Sequence, residues 1–188
     1  MRAYPLNPPR RPGAVRFVAT ACACVLIGLL GAGPARAASP KPAKPHSPLV
    51  SRNLWATIDI CSSAKHQDTV GIRGSMPGTG VGGEQMFMRF RVQFLSSADH
   101  LWHYVTAHAD SGYQPVGFGR FVARQSGWSF TFHPPAAHGH YTIRGVVGFQ
   151  WRQKARILLD THLLTTAGHT NAVGAQPKGY SAATCSLH

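Results

Sequence analysis

From Met86 to Leu95 the chain keeps a period of two. Met86, Met88, Phe90, Val92 and Phe94 fall on one side, and Arg89, Arg91 and Gln93 fall on the other. Successive side chains of an extended strand point to opposite faces, so this run predicts one strand with an apolar face and a basic, solvated face. A helix turns about 100° per residue and would scatter the same residues around its axis. A strand with one apolar face needs a sheet, and that sheet needs a second layer to cover it.

Other runs carry the same texture. Leu54–Cys61 sets Leu54, Ala56, Ile58 and Ile60 against Thr57 and Asp59, and Val70–Met76 groups Val70, Ile72 and Met76. Leu101–Thr106 is a short aromatic run with Trp102 and Tyr104, and Phe118–Ala123 follows. Trp128–Phe132 alternates Trp128, Phe130 and Phe132 with Ser129 and Thr131. His140–Arg152 turns Tyr141, Ile143, Val147, Phe149 and Trp151 inward and Arg144, Gln150 and Arg152 outward. Arg156–Thr166 and Tyr180–Leu187 complete the set, and by alternation Trp102, Trp128 and Trp151 belong in the core. Met76-Pro77-Gly78, Ser96-Ser97, Asp110-Ser111-Gly112 and His133-Pro134-Pro135 read as the turns between runs. No window shows a helical stripe with caps, and no internal repeat is present. The expected fold is all-β, an antiparallel β-sandwich of eight or nine strands forming one domain over residues 54–188.

What precedes that domain has a different character. Arg2, Arg10, Arg11 and Arg16 open the chain with no acid among them, and an uncharged stretch then runs from Phe17 to Ala35. It closes with Ala35-Arg36-Ala37, the small-x-small pattern of a signal-peptidase site, so residues 1–37 read as a cleavable signal peptide. The alternative is an uncleaved membrane anchor, since a spanning helix needs about 17–25 residues. Gly28, Gly31, Gly33, Pro34 and Thr20 dilute the hydrophobicity and favour cleavage. The membrane is expected to be met only through this segment, and only if it stays uncleaved. Pro40, Pro42, Pro45 and Pro48 make residues 38–53 an extended Pro-rich linker.

Charge looks different once the signal is set aside. The whole chain carries a formal +13, from 19 basic and 6 acidic residues. Removing Arg2, Arg10, Arg11, Arg16 and Arg36 leaves 14 basic against 6 acidic residues, a formal +8. Charged residues make up only 13% of the chain and aromatics 10%, which excludes an acidic disordered chain and a coiled coil. Of the four cysteines, Cys22 and Cys24 lie inside the signal, leaving Cys61 and Cys185. In an oxidising compartment an even pair reads as a disulfide, and two free thiols are the alternative. The expected location is therefore secreted, extracellular or in the cell envelope.

The run His140-Tyr141-Thr142-Ile143-Arg144 resembles the tyrosine-corner strand of immunoglobulin-like and fibronectin type III-like domains, in which a Tyr opens the penultimate strand. Ile143 stands where antibody domains carry a Cys, so Cys61–Cys185 would join the first strand to the last instead. Residues 54–187 are also similar to uncharacterised secreted bacterial β-sandwich proteins. The features are Trp55, the Met-Pro-Gly turn, the Met-Arg-Phe-Arg strand, Phe149-Gln-Trp-Arg152 and the closing Ser-Ala-Ala-Thr-Cys. The resemblance implies a fold and leaves function open.

Local motifs for catalysis are incomplete. Gly78, Gly80 and Gly83 form a G-x-G-x-x-G, but a strand follows where a dinucleotide site requires a helix, so no nucleotide cofactor is expected. Gly179-Tyr180-Ser181-Ala182-Ala183 lacks the last glycine of a nucleophile elbow. Glu84 is the only Glu, and the five Asp residues form no close pair in sequence, which leaves little for a carboxylate dyad. His138-Gly-His140 could place two imidazoles on one face of a strand, a start for Zn²⁺ or Cu²⁺, but no Cys or Glu completes a metal signature.

The arginines remain. Arg89 and Arg91 face outward on one strand and Arg144 and Arg152 on another, and in an immunoglobulin-like order those strands are neighbours. Their faces would then merge, with Arg73, Arg120 and Arg124 extending the field. Guanidinium groups hold phosphates and carboxylates through two parallel bonds, so an anionic cell-envelope polymer or another polyanion is the candidate partner. The plainer reading is a solvated face whose Arg stems cover aromatic neighbours. The expectation is a secreted, non-enzymatic binding module with no cofactor. The alternative is a His-based extracellular metal-binding protein or small hydrolase.

Overall fold

The computed structural model describes residues 47–120, 122–133 and 139–188. The segment expected as a signal peptide, residues 38–46 of the expected linker and His138 lie outside these. Within residues 47–53 of the linker, Pro48–Val50 forms a single 3-10 turn.

Nine strands follow among the described residues: β1 (Trp55–Ser63), β2 (His66–Met76), β3 (Glu84–Leu95), β4 (Trp102–Tyr104), β5 (Asp110–Phe118), β6 (Arg124–Thr131), β7 (Tyr141–Gln153), β8 (Arg156–Leu164) and β9 (Thr184–Leu187). One sheet has the order β1-β2-β6. The other has β3 and β7 at its centre, with β4 and β5 beside β3 and β8 and β9 beside β7. Every pairing between strands is antiparallel. The two sheets face each other as an antiparallel sandwich, the first of three strands and the second of six.

The inner faces form one core. Ala56, Ile58, Val70, Ile72, Met76 and Phe130 come from the first sheet, and Met86, Met88, Phe90, Val92, Ile143, Val147, Phe149 and Trp151 from the second. Burying a side chain such as Phe149 contributes about 1.5–3 kcal/mol, which is why the alternation of β3 and β7 decides their orientation. Trp151 is fully buried, and its indole N–H donates to the Pro77 carbonyl at 3.0 Å. That bond ties the Met-Pro-Gly corner to β7.

β1 departs from simple alternation. Ile58 pairs with Ile72, yet Ile60 pairs with Gly71, so Asp59 forms a bulge. The bulge shifts the phase by one residue. Ile60 moves to the outer face, and Cys61 moves inward to pair with Val70 and bond to Cys185 on β9. The disulfide therefore joins the two sheets. Asp59 is buried outside the sheet, where the Arg73 Nε–H donates to its Oδ2 at 2.8 Å.

The chain after β8 returns to the first sheet and covers the free edge of β1. Thr166 N–H donates to Ala56 O at 2.8 Å, Gln176 N–H to Asp59 O at 2.8 Å, and Ile58 and Ala182 exchange both backbone bonds. Trp55 packs with Ala172, Ala175 and Tyr180 beneath this return and stacks on the His169 ring at 4.6 Å. The expected strand Tyr180–Leu187 is thus a strand only from Thr184, because its first residues belong to this covering segment.

Further expectations are corrected. Asp110–Phe118 is a strand, β5, although its first three residues read as a turn, and no strand covers the described part of 118–123 beyond Phe118. Gly112, Pro115 and Gly117 erase the period of two, and the register with β3 slips twice. Proline is tolerated there because β5 is an edge strand. Trp128 is 43% exposed at the open side of the sandwich, and Trp102 is half-buried on an outer face. Tyr141 opens β7 as expected but is 43% exposed, and its hydroxyl makes no hydrogen bond to a described residue.

Candidate basic binding face

β3 and β7 are paired over Glu84–Phe94. The register sets Arg91 opposite Val146, Arg144 opposite Gln93, Arg89 opposite Gly148 and Arg152 opposite Gln85. All four arginines therefore stand on one outer face, that of the second sheet.

Each guanidinium lies over an aromatic ring. The distances from guanidinium carbon to ring centre are 4.5 Å for Arg91 over Tyr104 and 4.2 Å for Arg144 over Trp102. Arg152 lies between Phe87 at 4.2 Å and Tyr113 at 4.9 Å, and Arg89 is 5.8 Å from Tyr113. Such contacts are worth about 0.5–1 kcal/mol each at exposed sites. The rings come from β3 itself and from the two short neighbours, β4 and β5. Tyr113 reaches across β3 to lie over Gly148 on β7, and its hydroxyl points to Asp160 on β8 at 3.5 Å. Burial and the nearby Asp160 carboxylate push the Tyr113 phenol up.

The four arginines are not equivalent. Arg89 grips both oxygens of Asp110, with Nε at 2.8 and 3.1 Å. That pair holds the Asp110 carboxyl below its usual range and raises the guanidinium. Arg152 donates Nε to Gln150 Oε1 at 2.8 Å, and Arg144 donates Nε to Gln93 Oε1 at 2.8 Å. Desolvation makes the Arg144 cation somewhat less favourable than a free one. Arg91 has a buried Nε with no hydrogen-bond partner. It lines a recess of 220 Å³ with Tyr104, Val105, Thr106, Ala109 and Asp110. The face is thus a set of guanidinium groups set over aromatic rings, with one neutralised by an acid.

Of the three arginines expected to extend the field, Arg73 is engaged by Asp59 on the first sheet. Sequence reasoning placed the arginines outward and weighed aromatic neighbours beneath their stems, but did not identify the rings and acids that hold them. Tyr113, Asp110 and Asp160 carried no signal, but Gly148 in mid-strand did, since a strand glycine often marks a close approach.

The other motifs come to less. His140 is exposed with its ring 6.1 Å from that of His188. Among the described residues no three His, Cys, Asp or Glu side chains gather as a metal-holding group. Ser181 Oγ shares a 2.7 Å hydrogen bond with Thr57 Oγ1 and accepts the His169 backbone N–H at 2.8 Å. The His169 ring meets Thr166 Oγ1 instead, at 3.0 Å, so no nucleophile–base pair forms there. The glycine run leads into β3, and its Gly80 N–H donates to Gly119 O at 2.7 Å. Among the described residues no helix is long and apolar enough to cross a membrane.

Together these features define a disulfide-joined, two-sheet antiparallel sandwich with a cation–aromatic outer face. Comparison with known proteins finds no matching family model, no similar curated protein and no similar solved structure.

Proposed function

We propose that the protein is exported and acts in the cell envelope or outside the cell as a non-enzymatic binding module, holding an anionic polymer on the outer face of the second sheet. The observation that carries this reading is the alignment of Arg89, Arg91, Arg144 and Arg152 on paired strands, each laid on an aromatic ring. A free arginine loses up to about 2 kcal/mol of rotamer freedom when it is fixed by a ligand. Here much of that ordering is already complete, so an anion meets donors in place. Export is supported by the basic opening, the uncharged stretch to Ala35 and the Ala35-Arg36-Ala37 pattern. The Cys61–Cys185 bond accords with an oxidising compartment.

The test is retention of the purified protein on immobilised polyanions and on isolated cell envelopes across a salt series. Affinity is expected to fall linearly on a log–log plot as salt rises, because each neutralised anionic group releases a counterion. Double variants Arg89→Gln/Arg152→Gln and Arg91→Gln/Arg144→Gln are each expected to flatten that slope. A parent protein that shows no salt-sensitive retention overturns the reading.

A further inference from the structure

We infer that Arg91 and Arg144 form a two-guanidinium site for a tetrahedral oxyanion, the phosphate or sulfate ester group of the polymer; this rests on the binding face proposed above. Arg91 lies opposite Val146, and Arg144 is two residues from Val146 on β7. Diagonal positions of this kind stand about 7–8 Å apart on one sheet face, close enough for two long side chains to share one ligand. Their platforms are also neighbours. Tyr104 and Trp102 are two residues apart on β4, with Arg91 over the first and Arg144 over the second.

The donors left over point to the ligand. Arg91 Nε is buried and unpartnered, and its terminal nitrogens donate to no described residue. Arg144 spends only Nε, on Gln93. Asp110 lines the same recess, but Arg89 holds both its oxygens, which blunts its repulsion of an anion. Arg89 is neutralised by Asp110 and Arg152 gives both Nε and a terminal nitrogen to Gln150, so Arg91 and Arg144 keep the most unpaired donors of the four. A carboxylate has two oxygens and is satisfied by a single guanidinium fork. A phosphate or sulfate ester has further oxygens and can bridge two forks, so the pair selects for it.

The experiment measures binding of the purified protein to polyphosphate, heparin and polygalacturonate, matched for charge and salt. Polyphosphate tests the phosphate source and heparin the sulfate source. At least one is expected to bind about tenfold more tightly than polygalacturonate. Arg91→Gln is expected to remove most of that preference, whereas Lys65→Gln, in the exposed turn between β1 and β2, leaves it. Arg91→Lys keeps the charge without the fork; it should retain the salt dependence and lose several-fold in affinity for the preferred ester polymer. If Arg91→Gln does not fold, the lysine variant decides. Polygalacturonate bound as tightly as both ester polymers overturns the site, and so does an Arg91→Lys protein that matches the parent. Salt-sensitive binding lost equally in both double variants overturns this site while leaving the broader binding face standing.

Discussion

The Tyr113 hydroxyl occupies the space above Gly148 that a side chain would take: a Cβ built on Gly148 would stand 3.0 Å from that oxygen. The tyrosine comes from edge strand β5 and the glycine from central strand β7, with β3 between them. Because the ring can lie flat there, Arg152 stacks on it from the β7 side and Arg89 packs near it from β3.

Gly148→Val should lift Tyr113 off the sheet and break the stack that holds Arg152. Forcing extra methyl groups into a filled site costs about 1–3 kcal/mol, and that loss is expected in thermal or denaturant unfolding. The Tyr113 ring resonances should move with it. A valine variant as stable as the parent, with those resonances unchanged, would show that the contact is incidental.

The Cys61–Cys185 bond closes a loop across 124 residues of sequence and joins β1 to β9. In the chain-entropy description such a bridge is worth up to about 5 kcal/mol, with measured values often lower. Reduction, or replacing both cysteines with alanine, should lower the thermal midpoint. Non-reducing peptide mapping should recover both cysteines in one linked fragment. Two alkylatable thiols in the purified, unreduced protein would refute the pairing.

His169 should make stability fall on acidification. Its ring stacks on Trp55 under the segment that covers β1, and burial holds its pKa below the usual 6.5. The folded state therefore disfavours the imidazolium, and the unfolded chain takes up the proton first. The contribution is complete above about pH 6.5 and declines as the pH falls from there toward the folded midpoint. Unfolding measured between pH 7 and pH 5 should show this decline in the parent and less of it in His169→Phe, which keeps a stacked ring. A folded-state titration midpoint above 6.5 would reverse the sign and defeat the prediction.

Local pattern carried much of the architecture. The alternation of Met86 to Phe94 depends only on neighbours in the chain, and burial of its apolar side leaves one orientation for Arg89, Arg91 and Gln93. The same argument put Arg144 and Arg152 outward on β7. The parity of the cysteines after residue 37 named the disulfide partners without any knowledge of distance.

Long-range register decided the rest. β5 has too many glycines and a proline to show a period of two, and it is a strand because β3 offers it an edge. The bulge at Asp59 reverses the alternation of β1 so that Cys61 can meet Cys185, and nothing in Ile58-Asp59-Ile60 announces it. Likewise the sequence shows four outward arginines but not that Asp110 neutralises one, that glutamines pin two, or that Arg91 is left with a buried, unpartnered Nε. Facing direction follows from the two-residue period of a single strand. A partner from 20 or 50 residues away follows only from which strands pair and in which register, and the burial of the whole core sets that.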